Sequence, residues 1–103
     1  MAKGQPVLLD LNIPSFQDQL FALDDDDLVD VVAALKKLRK LDWPTLHGHK
    51  GFNWEDAGHP EKAPNASAIK SIRITKKARA LAYREGNFMR FLSIHLDQDS
   101  AYR

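Results

Sequence analysis

The chain carries two hydrophobic periodicities in succession. In the first part, Leu28, Val31, Val32, Leu35, Leu38 and Leu41 recur at i, i+3, i+4, i+7, i+10 and i+13. Such a stripe predicts an amphipathic helix. Asp24 to Asp27 precede it and supply a cap and carboxylates at the positive end of the helix dipole. Lys36, Lys37, Arg39 and Lys40 fall in its last turns, where the dipole favours cations. Trp43-Pro44 is read as its stop, because the residue before proline is pushed out of the helical region. Upstream, Phe16, Leu20 and Leu23 follow Pro14 at helical spacing, with Asn12 as cap. Val7 to Leu11 reads as a short strand.

After Ala66 the period changes to two. Ile72 and Ile74 share one face of a strand, and Ser71, Arg73 and Thr75 share the other. Arg79 to Arg84 and Phe88 to His95 are two further strands, joined at Glu85-Gly86-Asn87, where a tight hairpin needs positive φ. Phe88 to Ile94 is apolar on both faces, which points to a central strand covered by helices. Between the two regimes, residues 45–67 are rich in Gly, Pro, His and Asn. There Gly51-Phe52-Asn53-Trp54 reads as a strand start and Gly58 to Asn65 as an exposed loop. The expected fold is α+β: an N-terminal strand and a two-helix hairpin packed on one face of a curved antiparallel sheet.

Composition narrows the class without naming a function. At 103 residues, 44% apolar and 28% charged, the chain has the balance of a single globular domain spanning 1–103, with a ragged start at 1–6 and an exposed loop at 58–67. No apolar run is long enough for a membrane span and no signal peptide opens the chain, so a soluble cytoplasmic protein is expected. The absence of cysteine excludes disulfides, thiolate metal sites and thiol catalysis. The net charge of +1 hides an asymmetry. Residues 1–35 hold one basic residue against seven acidic ones, and residues 36–90 hold thirteen against five, nets of −6 and +8. A positive side of this kind can concentrate a polyanion, although two solvated faces that keep the protein soluble would show the same numbers.

Particular residues add a family resemblance. Ser71-Ile72-Arg73-Ile74-Thr75 and then Ala78-Arg79-Ala80-Leu81-Ala82-Tyr83 are similar to the basic strand and arginine-led next strand of the RelE/ParE toxins. Phe91 to Tyr102 resembles that superfamily's last strand and short polar tail ending in tyrosine, and Gly51-Phe52-Asn53-Trp54 resembles its lead into the sheet. The match covers about 35 residues well and the rest only in architecture; the Gly58–Asn65 insertion departs from the commonest pattern. The resemblance implies a type II toxin restrained by an antitoxin. In the RelE branch such a toxin cleaves messenger RNA, typically at the ribosome; in the ParE branch it inhibits DNA gyrase without any nuclease chemistry.

RNA cleavage without a metal or other cofactor needs a base for the 2′-hydroxyl proton, cations for the phosphorane charge and an acid for the leaving oxygen. Arginine suits the second task, since its planar fork grips two phosphate oxygens. Arg79 matches the family's strand arginine and Arg73 a basic position on the strand before it. His95 is the side chain suited to proton transfer near neutrality. Tyr102, seven residues later, is a candidate to orient a proton acceptor or stack on a base. Lys70, Lys76, Lys77, Arg84 and Arg90 are candidate RNA contacts. Each basic residue also has a bland reading as a solvated surface charge, and Tyr102 as a frayed end. Asp97 and Asp99 are read as turn residues. His47-Gly48-His49 and His59 lack a third metal ligand at convincing spacing, so no metal is expected.

Overall fold

The computed structural model describes residues 4–58 and 67–96. Eight elements follow in order: β1 (Leu8–Asp10), α1 (Pro14–Phe21), α2 (Asp25–Arg39), α3 (Trp43–His47), β2 (Glu55–Asp56), β3 (Lys70–Arg73), β4 (Ala78–Glu85) and β5 (Phe88–Leu96). The strands form one sheet in the order β1-β5-β4-β3-β2. The fold is α+β, with helices packed on an open sheet. It is mixed rather than wholly antiparallel: β1 runs parallel to β5, Leu8 opposite Phe88 and Asp10 opposite Arg90. The long α1–β4 excursion between the two strands makes that parallel return possible.

The helices form where the apolar spacing places them, and they differ from expectation in three places. Ile13, not Asn12, occupies the cap position of α1. The Asn12 N–H is instead held by Asp10 Oδ1 at 2.9 Å in a local turn. Pro14 then opens the helix, where a missing N–H costs nothing. Val32 is turned outward and 45% exposed, and Ala34 takes its place beside Val31, Leu35 and Leu38 on the buried face. Finally, Trp43-Pro44 starts a helix rather than ending one. The Asp42 carboxylate accepts the Thr45 N–H at 2.8 Å, and proline follows in the first turn of α3. That bond lowers the Asp42 carboxyl below its ordinary range.

The core lies between the helices and the inner face of the sheet. Phe16 of α1 meets Phe91 of β5 with ring centroids 5.2 Å apart, both fully buried. Ala78, Ala80 and Ala82 give β4 a flat inner face against which the larger side chains of α1 and α2 fit. Trp43, also buried, donates from Nε1 to the Asn87 carbonyl at 3.0 Å and anchors α3 to the β4–β5 turn. In that turn Gly86 has φ +62°, as a two-residue hairpin with glycine first requires. Gly51 to Trp54 is not a strand. Phe52 is buried, Asn53 turns the chain with φ +51°, and pairing begins only at Glu55. The loop expected at 58–67 falls, apart from its two ends, outside the described residues, as do residues 1–3 of the start expected at 1–6.

Candidate active site

The outer face of the sheet, away from the helices, is set by strand parity. On β3 the buried Ile72 and Ile74 face inward, so Arg73 faces outward. On β4 the same holds for Arg79, between Ala78 and Ala80. The two arginines are direct cross-strand partners, and Arg79 is in turn the partner of His95 on β5. Three adjacent strands therefore present Arg73, Arg79 and His95 side by side, with Cβ atoms roughly 5 Å apart at each step.

His95 reaches this row only because of an irregularity. Along β5, Met89 and Phe91 are buried inward, and simple alternation would send residues 93 and 95 inward too. The pairing slips between Leu81 and Ala82: Ala82 lies opposite Phe91 while Leu81 lies opposite Ser93, leaving Leu92 without a partner. This bulge reverses the parity. Ile94 becomes the buried residue and His95 the outward one. The run from Phe88 to Ile94 is apolar on both faces for this reason as well as for its central position. Its carboxyl end is secured from α1, where Gln19 Oε1 accepts the Ile94 N–H at 2.9 Å.

The row is polar and accessible. Arg79 and His95 are exposed, and Arg73 is half-buried. Arg73 donates through Nη1 to the Lys76 carbonyl at 3.2 Å, which steadies it against the β3–β4 turn. His95 Nε2 lies 2.9 Å from Ser93 Oγ, its neighbour on the same face just after the bulge. A hydroxyl can donate to or accept from that nitrogen, so the contact orients the ring in either tautomer. Placing two arginines directly opposite each other is destabilising in a sheet.

The other predicted residues divide sharply. Lys77 is drawn to the helices: its Nζ lies 2.9 Å from Asp27 Oδ1, and that hydrogen bond raises its pKa. Arg90 is clamped by Glu85, at 2.5 Å, and by Asp10, contacts that raise its pKa further and tie β1 to β5. Both side chains are spent on carboxylates of the protein itself. Lys76 is exposed in the β3–β4 turn, close to Arg73. Lys70 and Arg84 lie on the inner face, beyond the end of the core, and do not join the row. Tyr102, Asp97, Asp99 and His59 lie outside the described residues. Among the described residues no three His, Asp or Glu side chains gather into a metal-binding group. His49 Nδ1 instead accepts the Phe52 N–H at 3.1 Å, and His47 packs its ring against Trp43.

Sequence reasoning missed Ser93, which no motif signals. It also missed the inner groove beside Lys70 and Arg84, whose walls include His47 and Trp54. The facing of Lys70 was available from alternation, two residues before Ile72.

No protein-family model matches the sequence, and no curated protein matches it. Among solved structures, the crystal structure of a copper-bound mutant toxin from Helicobacter pylori is similar at a TM-score of 0.43 and 19% identity, over 90% of this chain and 97% of that one. A likeness so loose carries no argument about what the chain does. Among the described residues, no helix is long and apolar enough to cross a membrane.

Proposed function

We propose that the chain is a toxin of the RelE/ParE kind whose outer sheet face cleaves messenger RNA. The observation that carries this reading is the in-register row Arg73–Arg79–His95, completed by the bulge at Leu92. Two fixed cations beside a proton-transferring imidazole are the parts that 2′-hydroxyl attack on the neighbouring phosphate requires. Arg79, exposed and in the middle of the row, is assigned to the non-bridging phosphate oxygens. Arg73 supports it from the neighbouring strand. His95 moves a proton at the 2′-oxygen or the leaving oxygen, with Ser93 orienting its ring. Tyr102 is the proposed partner for the other proton. Lys76 is placed to meet the RNA backbone beside Arg73. Charge stabilisation falls to guanidinium groups, and no metal enters the scheme.

Arg79 and His95 stand exposed on this face, which fits a substrate presented in a larger assembly such as messenger RNA on the ribosome. An antitoxin that silences the protein would cover this face, and an acidic segment would complement it. The test is induced expression of the wild type beside Arg79→Ala, scored by growth arrest and by transcript integrity. Cleaved transcripts with the wild type and intact ones with the variant are expected. Growth arrest with intact transcripts would sink the reading. The same openness favours one alternative, a non-catalytic inhibitor of DNA gyrase that uses the basic face for protein contact. Inhibition of purified gyrase supercoiling without ribosomes would select it.

A further inference from the structure

A second basic surface lies on the opposite side of the sheet. Lys70 shares the inward parity of Ile72, and Arg84 that of Ala82, but both extend past the core beside α3. Together with His47, Trp54 and the backbone around Ala68 and Gly86, they line a groove of about 680 Å³. A smaller lobe of about 420 Å³ continues it past His47 and Arg84 towards Pro44. The Arg84 guanidinium is already placed: it lies 4.2 Å from the centre of the Trp43 ring, and its Nε donates to the Gly86 carbonyl at 2.8 Å. The Trp54 ring is braced against Trp43 at 67° and 5.5 Å. Among the described lining residues of either lobe there is no carboxylate.

We infer that this groove binds a nucleoside phosphate, the base against Trp54 and the phosphate between Lys70 and Arg84. The volume falls within the range of small-ligand sites. Lysine and a stacked arginine provide a point charge and a fixed fork for phosphate, while an indole supplies the stacking surface that bases use without regard to sequence. A free nucleotide and a nucleotide within an RNA strand offer the same chemistry. The site is independent of RNA cleavage by the outer row, since it opens on the other face.

The chain has two tryptophans, Trp43 and Trp54, and both stand at the groove, so intrinsic fluorescence reports on it. The full chain is titrated with adenosine 5′-monophosphate, with adenosine, and with a 2′-O-methyl oligoadenylate that its own 2′-oxygen cannot cut. Saturable quenching by the monophosphate is expected, with adenosine roughly tenfold weaker, and Lys70→Ala, checked for folding by circular dichroism, should lose about tenfold in affinity. Arg79→Ala, altered on the other face, should bind the monophosphate as the wild type does. In that Arg79→Ala background a much tighter oligonucleotide, weakened by Lys70→Ala, assigns the groove to an RNA strand, and equal affinities assign it to free nucleotide. The inference is overturned by an absence of saturable quenching, by adenosine binding as well as its phosphate, by undiminished binding in folded Lys70→Ala, or by an equal loss in Arg79→Ala.

Discussion

The two faces of the sheet are made from the same strands and follow opposite rules. The inner face is filled with Phe91, Ile72, Met89 and a row of alanines, and it accepts only residues whose volume suits the helices above them. The outer face beside the β3–β4 turn carries Arg73 opposite Arg79, two charged side chains outside the core. Packing fixes the first face. On the second, packing holds only the far end, where Ile69 and Tyr83 are buried with Leu81 and Leu92, and the row beside the β3–β4 turn stands outside that cluster.

The sharpest way to break this division is to exchange Ile94 and His95, as Ile94→His with His95→Ile. The register holds position 94 inward and position 95 outward, so the exchange puts an imidazole into the core and an isoleucine outside. Burying an imidazole while exposing an isoleucine costs an amount comparable with the roughly 5–15 kcal/mol that holds a domain together. No cooperative unfolding transition is expected in a denaturant titration of the exchanged variant. A transition near the wild-type midpoint would show that facing at this end of β5 does not decide stability. Phe91→Ala attacks the inner face alone. It removes the ring that meets Phe16 at full burial and should cost about 3–5 kcal/mol, read as a lowered midpoint in denaturant.

The outer face should answer in the opposite way. Arg79→Ala removes an exposed side chain, so stability should stay within about 0.5 kcal/mol of wild type, while transcript cleavage falls by roughly a hundredfold or more. A large loss of stability in this variant would erase the distinction between the faces. The smallest effect belongs to the Asp42 cap. Its carboxyl pKa is lower in the folded chain than its ordinary 3.8, through the Thr45 hydrogen bond. The cap's contribution is therefore fully present above that ordinary value and lost as the pH falls through the folded one. Melting temperatures of wild type and Asp42→Asn should differ by a few degrees at about pH 6 and converge in strong acid.

How far the sequence foretold this molecule follows from the range of each signal. The stripe from Leu28 to Leu38 is a local property of one helix, and so is the hairpin glycine at 86; both were legible. Pro44 was misread because proline ends one helix and opens the next by the same steric rule, and only the Asp42 side chain decides between them. Arg73 and Arg79 could be assigned outward by alternation. That they and His95 share one row depends on cross-strand register, and for His95 on a bulge that leaves no mark in the order Phe91-Leu92-Ser93-Ile94. Lys77 and Arg90 were drawn off by Asp27, Asp10 and Glu85, partners up to 80 residues away in the chain. The inner groove required α3 and the β4–β5 turn to be brought together by Trp43, which nothing in local spacing announces.

The strand order has a consequence in time. β1 takes its hydrogen bonds from β5, which is synthesised some 80 residues later, with Leu8 paired to Phe88. Phe16 likewise waits for Phe91. Closing so long a loop is slow, and a nascent chain cannot begin to close it until β5 has left the ribosome. His95 arrives on that same strand. The residue that completes the outer row is delivered together with the strand that completes the sheet, so a partly made chain has neither the fold nor the row.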